Sequence, residues 1–165
     1  MGLKEDFDQI GVQERELKLP RFDAQVAWEL GMILRKIAVQ RGLVIAIDVR
    51  RFGQPLFYSA LEGTPPDNAE WIRRKGNVVL RFHRSSLGLK LRMEIRKSTI
   101  YERQGLPLAD YASDGGSFPI TVEGAGVIGS ATVSGLSGRE DHELVVEALC
   151  ALLARNYAEL RLPAE

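Results

Sequence analysis

Cysteine, histidine and tryptophan are scarce in this chain: one, two and two residues among 165, with aromatic residues at 7%. A single thiol, Cys150, excludes an intrachain disulfide and a cysteine-built zinc site, and its place on an apolar helical stripe reads as an inert core thiol. Two histidines are too few for a histidine-rich metal centre in one subunit, although a His83–His142 pairing across the fold stays open; no metal is expected. Net charge is also missing, because 22 basic and 22 acidic residues cancel. No global field therefore draws the chain to nucleic acid or to anionic lipid, and neither is expected as a partner. The basic run Arg73–Lys75 is too short for a nucleic-acid patch and lacks a repeated aromatic platform. There is no apolar run of membrane-spanning length and no charged-then-apolar leader, so a cytoplasmic location is expected. Catalytic signatures are absent too. No GxSxG elbow, HExxH pair or Walker loop occurs, and GAGVIG (124–129) follows a strand but leads into another strand instead of a helix.

What remains is the composition of a globular protein, 45% hydrophobic and 27% charged, with the length of one ordinary domain spanning 1–165. Residues 1–20 read as an N-terminal helix or arm stopped by Pro20. Asp23 caps a helix over Ala24–Arg41, with Ala27, Leu30, Leu34, Ile37 and Ala38 at helical spacing, and Gly42 closes it. Leu43–Arg50 and Gln54–Leu61 form a hairpin through a short glycine-containing turn. A helix over Leu87–Lys97, capped by Ser85 or Ser86, precedes an irregular stretch, 98–114, docked by Leu106–Pro107–Leu108. Phe118–Glu123 and Val127–Ser134 make a second hairpin. Ser137 with Glu140 fits a capping box that opens the last helix, which runs to about Tyr157. Two hairpins among helices predict an α+β fold: one antiparallel sheet of four to five strands flanked by helices. Sheet edges of this kind need cover, and a homo-oligomer supplies it.

The chemistry is most concentrated between Thr64 and Ser86, read as a helix with Thr64 as its cap and Pro65 and Pro66 in its first positions. Steps of about 100° put Glu70, Arg73, Arg74, Asn77, Arg81 and Arg84 on one side, and Trp71, Ile72, Val79, Leu80 and Phe82 on the other. Lys75 and His83 break that partition by landing in the apolar arc. Two readings of Lys75 stand: a snorkelling side chain with its ammonium in water, or an ammonium held in a half-apolar pocket where it meets an anionic group. His83 is a structural histidine or a ligand. Asn77–Arg84 taken alone also fits a strand, an alternative that Gly76 favours. Farther on, Gly115–Gly116–Ser117 offers backbone amides able to cradle a carboxylate or phosphate, or simply punctuates a turn. Asp141–His142–Glu143 sits in the first turn of the last helix, where acidic residues follow from the dipole alone.

WIRRK…NVVLRFHRSS, followed by DGGSFPI…GVIGSATVSGL…DHELVVEAL, resembles the small cytoplasmic proteins grouped under the haem-degrading domain label. Wider relatives of that group include the glycolate-operon accessory protein and the extracellular haem-binding protein of bacteria. The resemblance runs from PRFDAQVAW to the last helix. Its matching positions are Trp71, Arg73, Lys75, Asn77, Phe82, Ser85 and Ser86, then Gly115, Gly116, Phe118, Pro119, Ser134, Gly135, Asp141 and His142. It implies a profilin-like fold, homo-oligomers and, in some members, haem binding or breakdown. Haem needs an axial donor and basic groups for its propionates, which His83 with Arg74, Lys75 or Arg84 can supply.

The leading expectation is a homo-oligomer that binds haem or another small anionic molecule between the central helix and the Gly115–Phe118 turn, often at a subunit boundary. Trp71, Arg74, Lys75, Asn77, His83, Ser86, Gly115, Gly116, Phe118 and His142 are its candidate ligand-binding residues. Lys75 brings charge, Asn77 and Ser86 hydrogen bonds, and Trp71 and Phe118 an apolar wall. One alternative is a non-enzymatic interaction scaffold or chaperone-associated protein, with Trp71, Lys75 and Phe118 buried in a neighbouring subunit. Another is a haem-degrading enzyme that depends on His83 or His142; no catalytic residue is assigned.

Overall fold

A computed structural model describes residues 2–165. Helix α1 (Leu3–Glu16) and helix α2 (Ala24–Arg41) precede strands β1 (Ala46–Arg51) and β2 (Gln54–Ala60). Helices α3 (Asn68–Phe82), α4 (Ser86–Ile95) and α5 (Ile100–Gln104) follow, then β3 (Ser117–Val122), β4 (Gly126–Ser134), α6 (Gly138–Leu152) and α7 (Tyr157–Leu160). The strands form one antiparallel sheet in the order β2-β1-β4-β3. This is the expected α+β architecture with four strands.

Alternation along the strands gives the sheet two unlike faces. One presents Ile47, Val49, Phe118, Ile120, Ala131 and Val133, which join Ala27, Leu30 and Leu34 of α2 and Val145 and Leu149 of α6 in the main core. The opposite face carries Asp48, Ser117, Ser130 and Thr132, all fully buried. Register places Thr132 beside both Asp48 and Ser117. Three of those groups are satisfied locally: Arg50 grips Asp48 through two 2.7 Å bonds, and the Ser117 and Thr132 hydroxyls meet at 2.8 Å, whereas the Ser130 hydroxyl has no partner among the described residues. Helix α3 covers this polar face. Gly76 faces it, and a Cβ there would stand 3.6 Å from Ser130 Oγ.

Several local expectations hold to the atom. Asp23 Oδ1 accepts from the Val26 amide, Gly42 closes α2 at φ +63°, and Ser137 with Glu140 completes both bonds of the capping box. Others are corrected. Thr64 does not cap α3; its hydroxyl donates to the Ile45 carbonyl, tying the approach loop to β1, and the helix begins four residues later. Asn77–Phe82 is helical, because packing over the sheet outweighs the glycine penalty. Part of 98–114 is ordered as α5, capped by Thr99, with Tyr101 donating to the Tyr111 carbonyl; Leu106 docks there but Leu108 stays exposed. The last helix stops at Leu152, and Ala154, at φ +53°, turns the chain into α7.

Candidate functional site

Two helix starts converge above the double-glycine turn. Lys75, two turns into α3, is 3% exposed, and its ammonium donates to Asp141 Oδ2 at 3.1 Å and to the Val133 carbonyl at 3.3 Å. Asp141 lies in the first turn of α6 and also accepts from the Leu136 amide at 2.9 Å. Burial pushes the Asp141 carboxyl above its usual range, and the Lys75 charge pulls it back part of the way. The bend Gly115–Gly116 packs directly on this pair: a Cβ on Gly116 would come within 2.8 Å of Lys75 Nζ and 3.1 Å of the Asp141 Cβ. Of the two sequence readings of Lys75, the structure takes the held ammonium. It is paired, and it faces the glycine bend.

A cavity of about 270 Å³ opens beside the pair. Trp71, Asn68 and Lys75 of α3 form one wall; Ser134, Gly135 and Gly138, around the α6 N-terminus, form the other. The guanidinium of Arg74 stacks over the Trp71 ring at 4.8 Å and stiffens the rim. Trp71, Lys75 and the Gly115–Gly116 bend are thus brought together. The remaining expected residues are not. Phe118 is on the opposite, apolar face of the sheet and packs edge-on against His142. Asn77 donates to the Asp110 carbonyl and Arg74 to the Leu108 carbonyl, so both clamp the loop that follows α5. Ser86 Oγ is held by the Ser117 backbone on both sides, accepting at 3.1 Å and donating at 3.4 Å. These four are bound into the fold and do not line the cavity. Lys75 and Phe118 are buried within the chain itself, which removes them from the scaffold alternative's subunit contact.

The histidines separate. His83 caps α3 in the left-handed region at φ +56° and is exposed. It lines a different cleft, of about 350 Å³, with Arg15, Lys18, Arg84, Pro119 and Val127. His142 is fully buried, and its Nε2 is 2.8 Å from Gln13 Oε1. Gln13 donates its own amide to the Leu160 carbonyl, so its oxygen faces His142, and the imidazole proton belongs on Nε2. Burial, and secondarily the Arg139 charge, push His142 down to about 3. Unfolded, the group takes its proton near pH 6.5; folded, it resists until about 3. Stability is therefore fully present above pH 6.5 and is lost as pH falls through that window. Denaturant unfolding from pH 7 to 4 should show a decline of a few kcal/mol that flattens in His142→Leu. An unchanged slope in the variant would refute the assignment.

Asn68, Ser134, Gly138 and Asp141 were not expected as part of the site. For Asp141, Ser134 and Gly135 a signal existed, since all three lie in the VSGL…DH block, but the helix dipole alone accounted for the acid. Among the described residues no group of histidine, cysteine and acidic side chains is placed to hold a metal, and no helix is long and apolar enough to cross a membrane.

Comparison with known proteins gives the family. The model described as haem degrading protein HbpS-like matches residues 22–150. A UPF0303 protein of Burkholderia thailandensis is 57% identical over 162 residues, covering 98% of each chain. Among solved structures, the Ybr137w protein superposes with a TM-score of 0.83 at 28% identity, covering 91% of this chain and 89% of that one. A PduOC:heme complex superposes with a TM-score of 0.68 at 14% identity, covering 79% and 94%, and so shares the fold. With the family model spanning most of its length and a full-length UPF0303 relative at this identity, the chain belongs to the HbpS-like haem degrading protein family.

Proposed function

We propose that the chain is a binding protein for a small molecule bearing a carboxylate or phosphate, taken up in the cavity beside Lys75. The observation that carries this reading is the buried ammonium. It has three protons to donate; Asp141 and Val133 take two, one remains for a ligand, and Lys75 is among the residues that line the cavity. Asp141 balances that charge and Asp114, also on the lining, is paired with Lys90, so the N-terminus of α6 at Gly138 supplies the remaining positive potential. Trp71 supplies an apolar side and Asn68 a further polar group. At about 270 Å³ the cavity lies below the ~300–1,000 Å³ range of sites for drug-sized ligands, so its ligand is small.

Haem does not fit this cavity, which has no histidine on its walls to serve as an axial donor. A haem-related role, suggested by the family and by the heme complex of a structural neighbour, fits the His83 cleft instead. There an exposed imidazole is a candidate axial donor, and Arg15 and Lys18 suit propionates, while Arg84 is already paired with Glu14 of the same cleft. Bound haem would supply iron-centred chemistry; this chain's residues would hold it.

Two titrations test the readings separately. Wild-type protein warmed with succinate, citrate or inorganic phosphate should melt about 5–10 °C higher at a hundredfold excess over the dissociation constant. Trp71→Ala, at the rim, should lose that shift. No shift with any anion, in protein shown by mass spectrometry to carry no ligand, would overturn the first reading. Hemin titration should give a saturable Soret band that His83→Ala removes and Trp71→Ala spares; a band indifferent to His83 overturns the second.

A further inference from the structure

The outer side of α2 carries apolar side chains that the rest of the chain leaves uncovered. Trp28 is 55% exposed, Met32 43% and Val39 55%. Steps of about 100° place Val39 and Trp28 within about 40° of the direction in which Met32 points. Met32, Ile33, Lys36 and Val39 border an open groove of about 430 Å³ on this side. The inner side of the same helix, with Ala27, Leu30, Leu34 and Ala38, is already packed on the core. The charges flanking the apolar stripe are unevenly placed. By the same steps Glu29 and Lys36 lie on one flank and Arg35 on the other. Neither Arg35 nor Lys36 has an ion-pair partner among the described residues.

We propose that this face is a homodimer contact in which a second copy lays its α2 antiparallel across a twofold axis at Met32. Such an axis brings residues at equal distances on either side of Met32 to one level. Glu29 is about 4.5 Å before it and Lys36 about 6 Å beyond it, at 1.5 Å per residue, and they share a flank. Each Glu29 therefore meets the second copy's Lys36. On the other flank each Trp28 ring meets the second copy's Arg35, a cation–π geometry. The two Met32 side chains close the centre. Parallel packing of the same faces sets Lys36 of one copy against Arg35 of the other, so charge selects the antiparallel arrangement. At an interaxial distance of about 8–10 Å the two Met32 Cα atoms come within roughly 4–5 Å, inside disulfide reach.

Sedimentation at tens of micromolar and a cysteine pair test this contact, using the full chain with all changes at exposed positions. Wild type should sediment as a dimer or a multiple of one. Glu29→Lys and Lys36→Glu should each weaken the contact at least about tenfold, and the double exchange should restore it. Met32→Cys should cross-link on mild oxidation, whereas Gln40→Cys, some 24 Å from its mate about this axis, should not. A monomeric wild type, a mass indifferent to both single reversals, or equal cross-linking at positions 32 and 40 would overturn the proposal. These readouts do not involve the Lys75 cavity, so its fate and this one are distinguishable.

Discussion

Lys75→Met should lower the unfolding free energy by about 3–5 kcal/mol, because it leaves Asp141 buried and unpaired. For a chain of this size that is a fall in melting temperature of roughly 6–20 °C. The physical reason lies in the two neighbours of the ammonium. Asp141 is 1% exposed, and besides Lys75 it accepts from the backbone of the adjacent loop at the Leu136 amide. Methionine fills the volume but gives no countercharge. The pH dependence follows from the direction of the Asp141 shift. Burial already holds its pKa above the unfolded value, so the folded state binds the proton more tightly and its stability is favoured at low pH. Removing Lys75 raises that pKa further. The penalty of Lys75→Met is therefore largest at neutral and alkaline pH and shrinks as pH falls through the raised pKa, where the carboxyl becomes neutral. The double variant Lys75→Met/Asp141→Leu should recover most of the loss at pH 7, since an apolar pair replaces an orphaned charge. Urea unfolding at pH 7.5 and pH 5 measures all three proteins. A penalty that is independent of pH, or a double variant no better than the single one, would show that the pair is not what holds this corner.

The fold was legible where local chemistry and periodicity agreed. Asp23, Gly42 and the Ser137–Glu140 pair act within one helix turn, and the two hairpins are short-range pairings, so both survive translation from sequence to structure. The cavity was only half legible. Lys75 announced itself as a charge on an apolar arc, and the double glycine marked the backbone that approaches it. Phe118 and Asn77 were misplaced because helical and strand periodicity tell which residues share a face, not which element covers that face. Phe118 alternates onto the side that α2 and α6 occupy, and Asn77 faces the loop at Asp110. The carboxylate that fixes Lys75 lies 66 positions away in the chain, and its ordinary role at a helix start concealed it. Likewise nothing local reveals that the sheet's polar face is buried. Ser117, Ser130 and Thr132 have the polar character of a solvent-facing strand side, yet α3 lies over them.

Gly115→Ala should be among the most damaging single-methyl additions in the chain, through steric overlap alone. The Cβ it introduces would sit 2.1 Å from the Gly138 carbonyl oxygen and 2.6 Å from its carbon. Both are backbone atoms at the start of α6, held by the capping box, so neither can rotate away. Relief requires moving the bend and the helix start apart by about an ångström, and that displacement carries Asp141 away from Lys75. An overpacking penalty of at least about 3 kcal/mol is expected, at the upper end for an added methyl group, with a melting temperature lower by roughly 6–12 °C. Gly53→Ala is the matched control: it lies in a turn with no atom within 4 Å of the added Cβ, and it should stay within about 0.5 kcal/mol of wild type. Calorimetry of the two variants decides the matter. The Gly115 variant, if it remains folded, should also lose the anion-dependent rise in melting temperature, since the wall carrying Asp141 and Gly138 has shifted. A melting temperature equal to that of Gly53→Ala would mean that the bend yields freely, and the close packing of backbone on backbone would not be what shapes the cavity.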